Sequence, residues 1–564
     1  MEPATIAAQL RELAVYYELD GDRHRAFAYE RAARSVEAAT GLHRLVEEGR
    51  LEELPGVGPS IARIVAELAR RGTVTVLERL RAQWPAVVIE LAQLPKVGVQ
   101  KARKIFQALS PSDLDAVAAM CRAGVISELP GFGKIGEQRI MQAIEERRLR
   151  GAQVILVEAE AHAASLAHHL RADPATKRVE ICGPVRRWSE VVDHLAYAVA
   201  TLDRAAVIDR LANFALVTSV DRAAAEASRE APIVGFMAGG LRAEVYVAAP
   251  ARFGWAQVVA TGSREHVAML RERAADRGID LSVLEATEEK LVYTALGLPL
   301  IPPELRDGSD EVSAALAGDT FSDLITLDDI TAACHCHTTY SDGKSSIAEM
   351  AQAAAELGFG AITITDHSAA AAYAGGLDAT RLREQATEIA GLAPELKILH
   401  GTEADILADG TIDVPPDLIG ELDVIIASVH QRYKLDEDGM TNRLVTAMRQ
   451  PFFKIWGHPL GRLVVRREPI AVRLDEVLDA VAESQAAIEI NGDPHRLDLD
   501  PVNARKAVAR GIKFVLSSDA HSIAGLRAVR FAVAMARRAR IRKRDVLNTL
   551  PAEQLAELVR PRAR

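Results

Sequence analysis

Nine side chains able to bind a metal ion sit in short motifs of one kind in the second half of the chain. They are His335 and His337 in Cys334-His-Cys-His-Thr, Asp342 in Tyr340-Ser-Asp-Gly, His367 in Thr365-Asp-His, and Glu403 in Gly401-Thr-Glu-Ala-Asp. His430 in Ser428-Val-His, His458 in Gly457-His-Pro, and Asp519 and His521 in Ser518-Asp-Ala-His complete the set. A lone histidine on an apolar segment is ordinarily a satisfied core residue, whereas repetition of one motif type points to coordination. Mixed imidazole and carboxylate donors suit zinc, manganese or iron better than a thiolate site or an oxygen-only calcium cage. Donor type does not choose among the three.

These residues need elements that aim them at one point. Side chains alternate along a strand, so His335 and His337 are expected on one face, with Cys334 and Cys336 on the other and outside the ligand set. Strand-like apolar runs precede the motifs: residues 361–365 before His367, 422–428 before His430, 486–490 before Asn491, and 513–517 before Asp519. Helical patterns fall between them, at Ile347 to Leu357 and Leu474 to Ser484. Alternating strands and helices with functional residues at the strand ends predict a (β/α) barrel with its site at the carboxyl end of the strands.

On these motifs the region 329–564 resembles the PHP domain, the polymerase-and-histidinol-phosphatase family of metal-dependent phosphoesterases, a distorted (β/α)7 barrel. The resemblance implies a site of up to three ions, Mn2+ or Zn2+ with iron as a further alternative, held by the nine residues. One departure is Ala333, where the family has an aspartate that would support a ligand. Arg462 and Arg496 are candidates to hold a phosphate bidentately. The basic run 537–544 reads as a solvated helix face or as a track for a DNA backbone.

At 564 residues and 49% apolar content the chain has material for three or four domains. Cys121, Cys182, Cys334 and Cys336 form no disulfide framework and suit a reducing cytoplasm. The N-terminus does not read as a signal peptide, and no run is long enough to span a bilayer. The net charge of −10 argues against nucleic acid in general, but carboxylates gathered around metals inflate it. Local basic surface is the better guide.

Three near-repeats occupy the first 150 residues: Leu54-Pro-Gly-Val-Gly-Pro, Leu94-Pro-Lys-Val-Gly-Val and Leu129-Pro-Gly-Phe-Gly-Lys. Each reads as a tight turn opening a helix, where glycine permits close backbone approach and the first N–H groups favour an anion. They resemble helix-hairpin-helix motifs, which hold the DNA backbone without reading sequence. Gly56, Gly58, Gly98, Gly131 and Gly133 are the DNA-binding candidates. The second repeat matches least well, because Lys96 replaces a glycine.

The stretch around Arg25-Ala-Phe-Ala-Tyr-Glu-Arg resembles the small N-terminal domain of family X DNA polymerases. That family's lyase lysine has no counterpart, since no lysine precedes Lys96 and arginine stays protonated. Residues 181–196 stand where family X has Gly-Ser-x-Arg-Arg and an Asp-x-Asp pair. Gly183, Arg186 and Arg187 are kept, Pro184 replaces the serine, and His194 and Ala196 replace the metal-binding aspartates. Glu244 stands for the third aspartate. A one-residue slip would offer Asp193 but pair it with Leu195. Residues 260–271 and 296–306 resemble the family's Thr-Gly-Ser segment and its junction with a PHP domain.

The whole chain therefore resembles bacterial PolX, family X polymerases fused to a C-terminal PHP domain. The implied architecture is a small helix-hairpin-helix domain (1–82), a second helix-hairpin-helix domain (83–150), an α+β nucleotidyltransferase-like palm and thumb with a degenerate centre (151–300), a linker (301–328) and the PHP barrel (329–564). The implied activity is 3′-5′ exonuclease cleavage of DNA, with abasic-site cleavage as an extension, on gapped, nicked or 3′-ended DNA. Clustered cations would activate water for in-line attack and stabilise the leaving oxygen. A monomer in the cytoplasm, at the nucleoid when bound to DNA, is the expected setting. A bifunctional polymerase and exonuclease is the alternative, and a histidinol-phosphatase-like enzyme for small molecules is another. A non-enzymatic scaffold would not require nine ligands.

Overall fold

The computed structural model describes every residue except 1–2, 40–41, 72–73, 95–96, 151–152, 229–230, 238–239, 432 and 563–564. Two compact units divide between Thr320 and Phe321.

The first unit opens with helices Pro3–Asp20 and Arg23–Ala38. Asp22 caps the second by accepting from Arg25 N at 3.0 Å, and Tyr17 stacks on Tyr29 at 5.1 Å. Three helical hairpins follow, ending in helices Pro59–Arg71, Gly98–Leu109 and Lys134–Arg150. Gly56, Gly98 and Gly131 have φ of +80°, +68° and +89°, the left-handed backbone that turns the chain into each helix. One apolar core runs through all of these helices. Lys96, the substitution in the second repeat, lies outside the described residues.

In the middle of this unit β1 (Val154–Ile155) pairs antiparallel with β3 (Val191–Val192). A five-stranded sheet has the order β2 (Arg178–Cys182), β4 (His194–Ala200), β7 (Arg242–Ala248), β6 (Ile233–Met237) and β5 (Val217–Val220). Only β4 and β7 run parallel. The segment 301–328, expected as a linker, carries structure of its own. Helix Glu311–Leu316 supplies the buried Glu311, which accepts from His266 Nδ1 at 2.6 Å, while His266 Nε2 lies 2.8 Å from the Tyr293 hydroxyl. Fully buried Arg306 pairs with Glu289, which also receives a bidentate bond from Arg186 at 2.7 and 2.6 Å.

The second unit holds seven parallel strands whose spatial order follows the chain: β8 (Ala332–Cys336), β9 (Ala361–Ile364), β10 (Lys397–Asp405), β11 (Val424–Ser428), β12 (Lys454–Trp456), β13 (Ala486–Asn491) and β14 (Phe514–Ser517). Strands buried on both faces explain the near-continuous apolar runs. Helices Ile347–Glu356 and Leu474–Glu483 fall where the periodicity predicts them. The sheet curls until its edges meet. Beyond β14, Ala520 N donates to His335 O at 3.0 Å and His337 N to Ala520 O at 2.9 Å. At the same seam buried Asn548 receives Leu516 N at 3.0 Å and donates to Ala332 O and Leu516 O at 3.0 and 2.8 Å. The result is a nearly closed seven-stranded barrel.

Two expectations are corrected here. The run 537–544 is not a free basic face: Arg537 donates to Ile325 O at 2.9 Å, Arg542 and Arg544 pair with Asp323, and Lys543 with Asp329 at 2.8 Å. Its charges fasten the entering chain to the barrel. Strict alternation also fails in β8, where His335 has φ +59° and the register shifts between Ala333 and Cys336. Cys334 consequently joins the core shared by Val424, Ile455 and Val515, and Cys336 the opposite layer with Met350 and Ile364.

Glu289 generates a prediction about stability. Burial opposes its ionisation, but the guanidinium groups of Arg186 and Arg306 outweigh that and lower its carboxyl to about 2. A depressed carboxylate pKa contributes stability that is present above about pH 4.5 and lost as pH falls through 2, on the order of 3 kcal/mol. Urea titrations of the full chain at pH 7 and pH 3 are expected to show Glu289→Gln destabilised by about 3–5 kcal/mol at pH 7, with a flatter acid limb than the parent.

Candidate metal centre

The carboxyl ends of the barrel strands, which carry His335 and Glu403, and the turns after them bring all nine predicted side chains to one end of the barrel. His337, Asp342, His367 and His521 form one group of mutually close donors, His335, His337 and Asp519 a second, and His367, Glu403 and His430 a third. His458 Nε2 joins through Glu403 Oε1 at 2.8 Å. Shared members make the three groups one cluster. Donor spacings run from 2.8 to 3.9 Å, and three of them are 3.4 Å: His335 Nε2 to Glu403, His337 Nε2 to Asp519, and His521 Nε2 to Asp342. A tetrahedron around bonds of about 2.1 Å has edges of about 3.4 Å. His335 Nε2 and both ring nitrogens of His337 are buried and make no hydrogen bond. Such orphaned buried donors are costly unless a further group satisfies them, so this set fits divalent cations.

Carboxylates that the sequence reading did not single out orient the rings. His335 Nδ1 lies 2.5 Å from Glu489 Oε1, and His430 Nδ1 bonds Asp405. In both histidines this leaves Nε2 to face the cluster. Glu489 also accepts from His458 N at 2.5 Å, and Asn491 Nδ2 donates to Asp519 at 3.1 Å. Asp366, beside His367, receives Thr338 N at 2.8 Å and Gln385 Nε2 at 2.6 Å, which ties the chain after β8 to the chain after β9 and to the helix Ala379–Gly391. The available signals were Glu489 inside an apolar strand and Asp405 two residues beyond Glu403 on the same strand face. Ala333, expected to weaken ligand support, packs in the outer apolar layer with Met350 and Ile362. The orienting carboxylate on His335 comes from Glu489 instead.

The electrostatics are those of charge held out of water. Burial opposes ionisation of Glu403, but the imidazoles of His430, His335 and His367 hold its carboxyl well below the usual range. Asp519 is likewise depressed against burial by His335, His337 and Arg496. Burial disfavours charge on His367 and His430 too, yet neighbouring carboxylates raise them to about 10 and about 9. Burial pushes the Cys334 thiol up to about 12, far from a thiolate donor. His335, His458 and Asp519 have φ of +59°, +24° and +50°, so three of the donors sit on left-handed backbone.

Of the two phosphate-holding candidates, Arg496 lies with Nε 3.5 Å from Asp519 Oδ2 and with Nη1 buried and making no hydrogen bond. Arg462 is bonded to the Leu497 carbonyl. In the first unit Ala196 sits between Cys182 and Glu244 in register, 1% exposed. Gly183 has φ +62°, and a Cβ there would come within 2.7 Å of the Ala196 Cβ, so both positions require small residues. His194 pairs with Asp193 at 2.7 Å, Glu244 accepts from the Tyr246 hydroxyl at 3.1 Å, and Arg187 donates to Thr261 O at 2.5 Å. Three of the hairpin glycines border open surface, while a Cβ on Gly56 would meet the Arg31 side chain at 2.5 Å. A Cβ on Gly58, Gly98 or Gly133 would meet nothing within 4 Å, and a cleft of about 500 Å³ between the second and third hairpins is lined by Lys101, Gly131, Gly133, Lys134 and Arg139.

Comparisons with known proteins agree with this architecture. Residues 333–493 match the PHP domain, 1–74 a helix-hairpin-helix domain, 88–146 a SAM-like helix-hairpin-helix tandem, and 256–307 the DNA polymerase beta thumb. These modules together define a DNA-binding protein with a metal-dependent phosphoesterase barrel. The chain is 32% identical, over 97% of its own length and 97% of the relative's, to the DNA polymerase/3′-5′ exonuclease PolX of Bacillus subtilis (strain 168). It belongs to the bacterial PolX family. Probable phosphatases of Caldanaerobacter subterraneus subsp. tengcongensis and Thermoanaerobacter sp. (strain X514) are 30% and 29% identical, each over 33% of this chain and over 74% and 77% of their own lengths. No helix among the described residues is long and apolar enough to cross a membrane.

Glu489 supplies the test of this geometry. Glu489→Gln keeps the shape but removes the charge on His335 and is expected to weaken metal affinity by about 10- to 100-fold. Titration of the purified chain with manganese and with zinc, read by calorimetry, checks it.

Proposed function

We propose that this chain is a DNA repair nuclease whose barrel hydrolyses phosphodiesters from a 3′ end, with abasic-site cleavage as a related activity. The carrying observation is the convergence of nine donors with orphaned nitrogens at one end of the barrel. In this reading His335, His337, Asp342, His367, Glu403, His430, His458, Asp519 and His521 hold up to three divalent ions, manganese or zinc, with iron as the alternative. Such cations supply Lewis acidity that activates water and neutralises developing charge on phosphate. The residues of the chain do the positioning: Glu489 and Asp405 fix the rings, and Arg496 offers a buried guanidinium edge beside Asp519 for a phosphate oxygen. Arg462 has the weaker case, since it already serves the Leu497 carbonyl.

The division proposed for the chain is two DNA-gripping domains (1–82 and 83–150), a palm and thumb (151–300), a connecting stretch (301–328) and the nuclease barrel (329–564). Gapped, nicked and 3′-ended DNA are the proposed substrates, bound by a monomer in the cytoplasm. Templated synthesis is proposed to be lost. Nucleotidyl transfer needs carboxylates around two cations, and His194 and buried Ala196 do not provide them. Arg186 is further committed to Glu289 and Thr261. The second reading, a bifunctional polymerase and exonuclease, is supported by the printed name of the Bacillus relative. The phosphatase relatives support a small-phosphoester reading for the barrel alone, which leaves the hairpins without a role.

A labelled primer on a longer template, incubated with manganese with and without deoxynucleotides, separates these readings. Shortened primer is expected in both arms, slowed by orders of magnitude in His335→Ala and Asp519→Ala. Primer lengthened by a variant lacking barrel donors would establish the bifunctional reading, and intact DNA beside rapid hydrolysis of a small phosphate ester would establish the phosphatase one. The hairpins are tested separately. Because Gly58 and Gly133 face open space, the double variant Gly58→Leu/Gly133→Leu is expected to fold and keep its metal while losing about tenfold or more in DNA affinity. Parent binding is expected to be independent of sequence and to weaken with salt, as followed by fluorescence anisotropy.

A further inference from the structure

Tyr373 is not explained by folding. The residue is 68% exposed, among the most exposed large apolar residues of the second unit. It lies on the short helical turn Ala372–Ala374, after a run of four alanines, residues 369–372, so its own loop gives it no bulky packing partner. Yet the ring stands beside the metal cluster, its centroid 6.3 Å from that of His367 and 6.5 Å from that of His430.

The loop that presents it is firmly held. Ala370 N donates to Asp413 at 2.7 Å, and Ala370 O accepts from Gln431 Nε2 at 2.7 Å. Leu377 N donates to His367 O at 2.7 Å, closing the loop at its base. Gly375 takes a left-handed φ of +71°, and a Cβ on Gly376 would fall 1.9 Å from Ser368 O. Gly375 O also accepts from Arg381 Nη1 at 2.8 Å. An aromatic ring exposed to water on an anchored loop, one ring's width from the donors, is suited to a planar ligand that arrives at those donors.

We propose that Tyr373 is a substrate-binding residue on which the 3′-terminal base stacks, holding the nucleotide end beside the cluster; this rests on the nuclease reading above. A ring stacks on any base face, so it would grip the terminal nucleotide without selecting sequence. The ligand class it implies is a nucleotide end with its base in place rather than a bare phosphoester.

The test uses the full, manganese-loaded chain and two single-stranded oligonucleotides, one ending in an ordinary 3′ nucleotide and one in a 3′ tetrahydrofuran residue that lacks a base. On the ordinary end Tyr373→Ala is expected to raise KM by about 10- to 100-fold with kcat held, while Tyr373→Phe and Tyr373→Trp keep the parent's KM. On the baseless end parent and Tyr373→Ala are expected to match. Metal content should be equal in all variants. Equal KM for parent and Tyr373→Ala on the ordinary end would overturn the proposal. So would a Phe variant as poor as Ala, which would assign the role to the hydroxyl, or equal losses on both ends, which would make the residue structural. A parent that cleaves neither oligonucleotide but hydrolyses small phosphoesters would instead remove the nuclease reading, and this proposal with it.

Discussion

Ionised carboxylates buried at the end of a barrel are the constraint around which the second unit is organised. Glu403 and Asp519 are 1% and 5% exposed in their side chains, and a bare charge so placed would cost several kcal/mol. Six imidazoles ring Glu403 or Asp519 within 3.6 Å, and Arg496 closes on the outer oxygen of Asp519. Behind them Glu489 and Asp405 brace His335 and His430. The network is satisfied only when strands distant in sequence lie at the correct heights. The seam between β8 and β14, stitched by Asn548 and by the chain around Ala520, is therefore part of the site's construction.

The first unit uses the same physics to a different end. Its buried Glu289 gathers Arg186 and Arg306, and its buried His266 connects Glu311 with Tyr293. These interactions join the sheet and the helices after it to residues 303–316. Arg186, kept from the family's Gly-Ser-x-Arg-Arg segment, is part of a structural ion pair. Ala196 and Gly183 meet at a spacing that leaves no room for larger groups. Where the barrel collects charge around a common centre, the five-stranded sheet of the first unit buries the small residues Gly183 and Ala196. That contrast between two centres in one chain is the physical basis for the proposal that the barrel carries the nuclease chemistry.

Much was legible in the chain itself. The barrel strands and their nine donors could be found because strands buried on both faces leave continuous apolar runs, and because the carboxyl ends of such runs share one end of the barrel. The three hairpins were visible because left-handed glycines are hard to replace, as Gly56 and Gly131 show. The alternation rule misled at Cys334 because His335 adopts a left-handed backbone, which a pattern of residue types does not reveal. The run 537–544 misled because its partners, Asp323 and Asp329, lie some two hundred residues earlier.

The sequence by itself determined the family, the order of modules, and which side chains can donate to a metal, since those depend on local pattern and residue type. Only the tertiary structure decided that Glu489 rather than a neighbour of His335 orients that ring, that Asn548 closes the barrel, that Arg186 is spent on Glu289, and that Tyr373 stands exposed beside His367 and His430. Each of these is a contact between segments far apart in the chain. Its existence depends on the closure and twist of a sheet, which residue spacing does not encode.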